Sequence, residues 1–128
     1  MIQSQFELDF LLPKPPSLNT VYAGKHYAVR QKYKKEYFNE IREVFQQFDE
    51  FRADTFQIHL RHNTRLDCDN LILAIKFLSD YLVAEEMVAN DNKKHFKKMS
   101  ICVADDEDEV PKNYIKVKII LGNYECNN

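Results

Sequence analysis

The sequence predicts an α+β fold, one mixed sheet packed against two helices, in the element order β-α-β-α-β-β. Three observations predict it. Apolar residues alternate with polar ones in separate stretches along the chain, the period of a half-buried strand. Two intervening stretches change to a helical apolar period, which marks an amphipathic helix. A chain of 128 residues that is 45% apolar and 12% aromatic has material for one core, so a single domain over 1–128 is expected.

In chain order, Phe6, Leu8, Phe10 and Leu12 alternate as a first strand. Pro13, Pro15 and Pro16 stop it, because proline has no N–H to give a sheet ladder. From Gln31 to about Phe51, Tyr33, Tyr37, Ile41, Val44, Phe45 and Phe48 form one helical stripe. Phe56, Ile58 and Leu60 alternate again. A second helix is expected from near Asp69 to roughly Glu86, with Leu71, Ile75, Leu78 and Leu82 facing inward. Strands over Phe96–Val103 and Tyr114–Leu121 follow, the second carrying Ile115, Val117, Ile119 and Leu121 on one side. The acidic run DDEDE at 105–109 falls in the turn between them, where a solvated loop is the ordinary reading.

Composition removes several functions. Gly24 and Gly122 are the only glycines, too few for a phosphate-binding loop, so nucleotide-loop and dinucleotide enzymes drop out and no organic cofactor is expected. The first apolar stretch contains Glu7 and Asp9 and does not read as a signal peptide. No apolar run approaches the ~18 residues of a membrane span, so a cytoplasmic protein without a membrane partner is expected. Three cysteines, Cys68, Cys102 and Cys126, argue against a disulfide framework. His59, His62 and Cys68 are three potential zinc ligands, but two histidines three apart on a strand point to opposite faces.

The net charge of −2 conceals an asymmetry. Residues 105–109 hold five of the 20 acids, leaving 15 acids against 18 bases elsewhere. One basic cluster comprises Lys25, His26, Arg30, Lys32, Lys34 and Lys35, interleaved with Tyr22, Tyr27 and Tyr33; the other is KKHFKK at 93–98. A polyanion partner fits this distribution, with Lys32, Lys35, Lys93, Lys94, Lys97 and Lys98 as candidate DNA contacts. An ordinary charged surface is the alternative.

The sharpest local feature is RLDCDN at 65–70. Asp67 and Asp69 are two apart, so in an extended stretch both carboxylates project to one side, a hard oxygen site suited to Mg²⁺. Asp69 and Asn70 are equally good helix N-caps. At 100° per residue, Lys76 and Asp80 each fall within about 20° of Asp69's side of the helix, and lysine leans back toward the helix start. A surface Lys76–Asp80 ion pair would explain the same spacing, at only ~0.3 kcal/mol. Asp91, in VANDNKK, is a third candidate carboxylate; Asn90-Asp91-Asn92 also suits a plain turn.

These motifs together resemble the RusA-type Holliday-junction resolvases, from about Leu12 to Val103. The resemblance begins with PKPPSLN, through Pro15, Pro16, Ser17 and Asn19. It continues with D-x-D-N at Asp67, Asp69 and Asn70, then K-x-x-x-D-x-L at Lys76, Asp80 and Leu82, and ends at Asp91. It implies a RusA-like fold and a homodimer that cuts four-way DNA junctions by phosphodiester hydrolysis. It also implies Mg²⁺, or Mn²⁺, on Asp67, Asp69 and Asp91, with Lys76 catalytic and Asn19, Asn70 and Asp80 supporting. Two positions depart from the pattern. The family's lysine falls one turn earlier, where this chain has Leu73, so Lys76 matches only with three inserted residues, about 4.5 Å of helix. Asn90 stands where the family has an acid before its last aspartate. A relative that binds junctions without cutting them is therefore the alternative, and an unrelated protein-interaction domain a third reading. Leu73 and Phe77, apolar and close to the polar edge, are candidates for the dimer contact.

Overall fold

The structure, a computed structural model, describes residues 2–17, 21 and 27–126. Asn19, Tyr22, Lys25 and His26 lie outside the described residues. The fold is α+β, one mixed five-stranded sheet with two helices. Strand β1 spans Ile2–Pro13 and helix α1 spans Tyr27–Phe45. Strands β2 (Phe51–Arg52) and β3 (Thr55–Asn63) follow. A 3₁₀ turn, Cys68–Leu71, leads into helix α2 (Ile72–Ala84). Strand β4 spans Phe96–Val103 and β5 spans Tyr114–Cys126, with a second 3₁₀ turn at Asp106–Asp108 between them.

The sheet order is β1-β5-β3-β4, with β2 pairing β5. Strand β5 runs antiparallel to β1, β2 and β3, whereas β3 and β4 are parallel. A parallel pair needs a crossover, and α2 supplies it. Both helices pack on the sheet face formed by Leu8, Phe10, Leu12, Phe56, Ile58, Leu60, Ile115, Val117, Ile119 and Leu121, all buried. Helix α1 contributes Tyr37, Ile41 and Phe45 to this core, with Tyr33, Val44 and Phe48 half-buried beside it. The buried Tyr37 hydroxyl donates to the Pro13 carbonyl (2.8 Å), tying α1 to the end of β1; burial pushes its pKa up, so it remains protonated.

Helix α2 is buried on almost every side: Leu73, Ala74, Ile75, Phe77, Leu78, Ser79, Tyr81 and Leu82 are all enclosed. A helix apolar most of the way round belongs in an interior. This corrects the reading of Leu73 and Phe77 as a dimer contact, since both are core residues at 0% and 2% exposure.

Several boundaries differ from the sequence reading, among them those of α2, which runs over Ile72–Ala84 and not from Asp69 to Glu86. Helix α1 starts at Tyr27 and ends at Phe45, short of the expected Phe51. Phe48 stays beside the core in a turn after the helix, while Phe51 pairs with Cys126 as the two-residue β2. Strands β1 and β5 are longer than their alternation suggested because they pair with each other from Ile2–Glu125 to Pro13–Tyr114. At Gly122 a Cβ would collide with the Thr55 Oγ1 of the neighbouring strand, so a larger residue there requires the threonine hydroxyl to turn away. Among the described residues, no helix is long and apolar enough to cross a membrane.

Candidate functional site

Strand β3 ends at Asn63, and Asp67 follows in extended conformation (φ −69°, ψ 155°) just before the 3₁₀ turn. Its side chain makes no capping hydrogen bond, and α2 itself is preceded by Leu71, which has no cap to offer. The capping explanation for the aspartates therefore fails. Asp67 and Asp69 are both exposed, and no described residue forms an ion pair or a side-chain hydrogen bond with either carboxylate. Asn70, half-buried, gives its backbone N–H to the Asp67 carbonyl (3.0 Å).

Asp69 lies in the 3₁₀ turn and only Asp67 is extended, so neither the extended alternation expected to put both carboxylates on one side nor a 100° count from Asp69 applies. Three residues at three per turn nevertheless return to the same side, which places Asp69 above Ile72. Ile72, Lys76 and Asp80 then form the one stripe of α2 that reaches solvent. The rise from Asp69 to Lys76 is roughly 12 Å, and the backward lean of lysine shortens the gap between the functional groups.

Asp80 pairs with Lys34 of α1 (3.1 Å) and not with Lys76. Lys76 opens onto a groove of about 440 Å³ between the helices, lined also by Tyr27, Arg30, Gln31, Lys34 and Asp80. Arg30 lies over the Tyr27 ring at 5.7 Å, and Tyr27 is 63% exposed. Exposed aromatics beside cations suit stacking of an unpaired base next to a phosphate. Arg30, Lys34 and Tyr27 were visible in the sequence only as part of a basic cluster; what sets them apart is contact with a helix about 40 residues further on. Lys32 and Lys35 are exposed on α1 but do not line this groove; Lys35 lines a neighbouring one with Phe38 and Arg42.

Asp91 is elsewhere. The crossover begins at the end of β3 and returns at the start of β4, where Phe96 pairs with Phe56. Asp67 and Asp69 therefore sit at one end of α2 and Asp91 beyond the other, with about 19 Å of helix between them. The expected three-carboxylate cluster is not formed within the chain, and no group of three potential metal ligands occurs among the described residues. Asn90 and Asn92 act as turn residues, their side chains accepting from the N–H groups of Asn92 and Lys94. Lys93 and Lys94 are exposed in this turn, and Lys93's carbonyl accepts from Lys97 Nζ. Lys97 and Lys98 are exposed on β4, where the register with β3 slips so that Phe96 pairs with Phe56 and Lys98 with Gln57, leaving Lys97 as the extra residue.

The histidines separate as their spacing requires. His62 is buried on the helix side, between Thr64 Oγ1 (3.0 Å) and Cys68 Sγ (3.6 Å), and burial lowers its pKa. His59 faces the other way, toward Ser100 and Gln57. The acidic run is more ordered than a solvated loop. The Asp105 carboxylate accepts from the N–H groups of Glu107 and Asp108, and Asp108 returns a bond to Asp105 N–H. That backbone bond, with Arg61 at 3.6 Å, holds the Asp108 carboxyl below its ordinary value.

No family model and no curated protein matches the chain. Among solved structures, a 2C-methyl-D-erythritol-2,4-cyclodiphosphate synthase in its CDP-bound form is similar over 81% of this chain, with 10% identity and a TM-score of 0.33. The chain spans 61% of that protein's length.

Proposed function

We propose that this protein is a RusA-like, Mg²⁺-dependent endodeoxyribonuclease that resolves four-way DNA junctions as a homodimer. One observation carries the reading: Asp67 and Asp69 are exposed, unpaired with any described residue and unused as caps, and Lys76 beside a cation-lined groove follows on the same side. Carboxylates kept without structural use suit ligand binding. Mg²⁺ binds through one or two carboxylates, waters and substrate phosphate, so the two aspartates fit it, and Mn²⁺ accepts the same donors. When bound, the metal supplies Lewis-acid charge to the scissile phosphate.

The chain's own residues divide the remaining work. Lys76 offsets negative charge that develops on the phosphate as water adds and a P–O bond breaks. Arg30 and Lys34 hold the backbone of the strand, and Tyr27 stacks on a base exposed at the branch. Asp80 fixes Lys34 in the groove. Asp91 joins Asp67 and Asp69 only from a second copy of the chain, which gives the homodimer a chemical purpose beyond matching the junction's symmetry.

The same separation favours a second reading, a relative that binds junctions and does not cut them. Incubating a labelled four-way junction with the protein and Mg²⁺ or Mn²⁺, beside linear duplex controls, decides between them. Paired symmetric cuts in the junction alone are expected. Junction binding without cuts selects the second reading, and neither binding nor cuts would leave a protein-interaction domain.

A further inference from the structure

The sheet face turned away from the helices carries a polar grid set by strand register. Asp9, Lys118, His59 and Ser100 stand side by side across four strands. Arg61 and Lys116 pair in the next row, and Gln57 and Lys98 in the row before. The helices lie on the other side, and a depression of about 300 Å³, bordered by Asp108 of the second 3₁₀ turn, opens over the middle of this face.

At its centre is a short relay. His59 Nε2 lies 2.9 Å from Gln57 Oε1, and Nδ1 lies 2.6 Å from Ser100 Oγ. A carbonyl oxygen only accepts, so Nε2 donates to Gln57; in the neutral ring Nδ1 then accepts the Ser100 hydroxyl hydrogen, and in the protonated ring it donates to Ser100 Oγ. Partial burial, Lys98 and Lys118 all push the His59 pKa below the usual value. The other charges nearby are largely engaged: Arg61 is held by Asp108 (3.6 Å), Lys118 lies 3.8 Å from Glu7, and Asp9 stands on the far side of Lys118. Lys116 stands in the adjacent row, opposite Arg61. A histidine whose protonation is opposed by partial burial and by lysines on both sides is an arrangement that an anion reverses.

We propose that this face binds a phosphate group between Lys98, Lys118 and the Ser100 hydroxyl, and that binding is coupled to proton uptake by His59. One proton passes from solvent to Nδ1, which then donates to Ser100 Oγ. The serine hydrogen is released to donate to a phosphate oxygen, and no covalent bond changes. The phosphate charge offsets the repulsion that opposes protonation of His59. The site lies across the sheet from the helices, so it does not rest on the nuclease reading.

The test is a pH titration of the His59 Cε1–H resonance in the full chain, in inorganic phosphate and in chloride at equal ionic strength. In chloride the pKa is expected below 6.5; in phosphate it should rise to that value or above. Ser100→Ala and Lys118→Gln, checked for folding by circular dichroism, should each remove the difference. A short oligothymidine in place of phosphate identifies the source. A matching rise supports a nucleic-acid backbone, and no rise with the phosphate response intact supports a small phosphorylated ligand. Equal pKa values in the two salts, or a phosphate response that survives both substitutions together, would overturn the proposal.

Discussion

The Asp69 carboxylate has no partner to lose among the described residues, and this makes its substitution a clean test. Asp69→Asn should abolish junction cleavage and leave junction affinity unchanged or tighter, because lysines supply most of the affinity. Thermal stability should stay the same; a loss near 1 kcal/mol would instead mark a helix cap. Leu73 shows the opposite situation. Its side chain is fully buried in the core, and an ammonium placed there would cost several kcal/mol. A lysine on α2 reaches water only from the stripe on which Lys76 stands. His62 and His59 give a pH prediction. Both have folded-state pKa values below 6.5, so as the pH falls the unfolded chain takes up protons first. The stability they contribute is whole above pH 6.5 and declines below it. The urea midpoint should therefore drop between about pH 7.5 and about pH 5.5, and His62→Gln should flatten the fall.

Helix α2 separates what the sequence set close together. Lys76→Ala should slow cleavage at saturating DNA by ~10²-fold, as expected for a positioned charge at the reacting phosphate. The Lys34–Asp80 pair is untouched by this change, so the melting temperature should hold. In the turn and strand that follow, alanine at Lys93, Lys94, Lys97 and Lys98 should weaken junction binding, and the log–log salt slope should fall by about 0.9 for each of these lysines that meets a phosphate. What could be read in the sequence follows a physical line. Period-two stretches such as Ile115–Leu121, and the inner face of α2, announced themselves because each depends only on near neighbours. Phe51 did not: its partner is Cys126, and no local pattern reveals a pairing across 75 residues. The placement of Asp91 failed for a related reason. Turn chemistry at Asn90 and Asn92 looks the same at either end of a helix, and the crossover decides which end it occupies.

At the scale of the molecule, the separation of the carboxylates predicts a specific behaviour of mixed dimers. Asp69→Asn and Asp91→Asn chains, each inactive alone, should regain one cutting site when paired. One composite site then holds Asp67 and Asp69 from one copy and Asp91 from the other. The mixed dimer should nick one strand of the junction without resolving it. No nicking would show that Asp91 acts within its own chain, and an Asp91→Asn chain that cuts alone would show that Asp91 has no part in cleavage. The sheet order carries one more consequence. Strand β5 lies between β1 and β3 and also holds β2, yet it follows all of them in the chain. During synthesis, β1 and β3 leave the ribosome with no strand to join them, and their apolar faces wait for more than fifty residues after Asn63 before residue 114 arrives. Assembly of the complete sheet therefore waits until β5 has been synthesised, and over that interval the nascent chain exposes apolar strand faces of the kind chaperones cover.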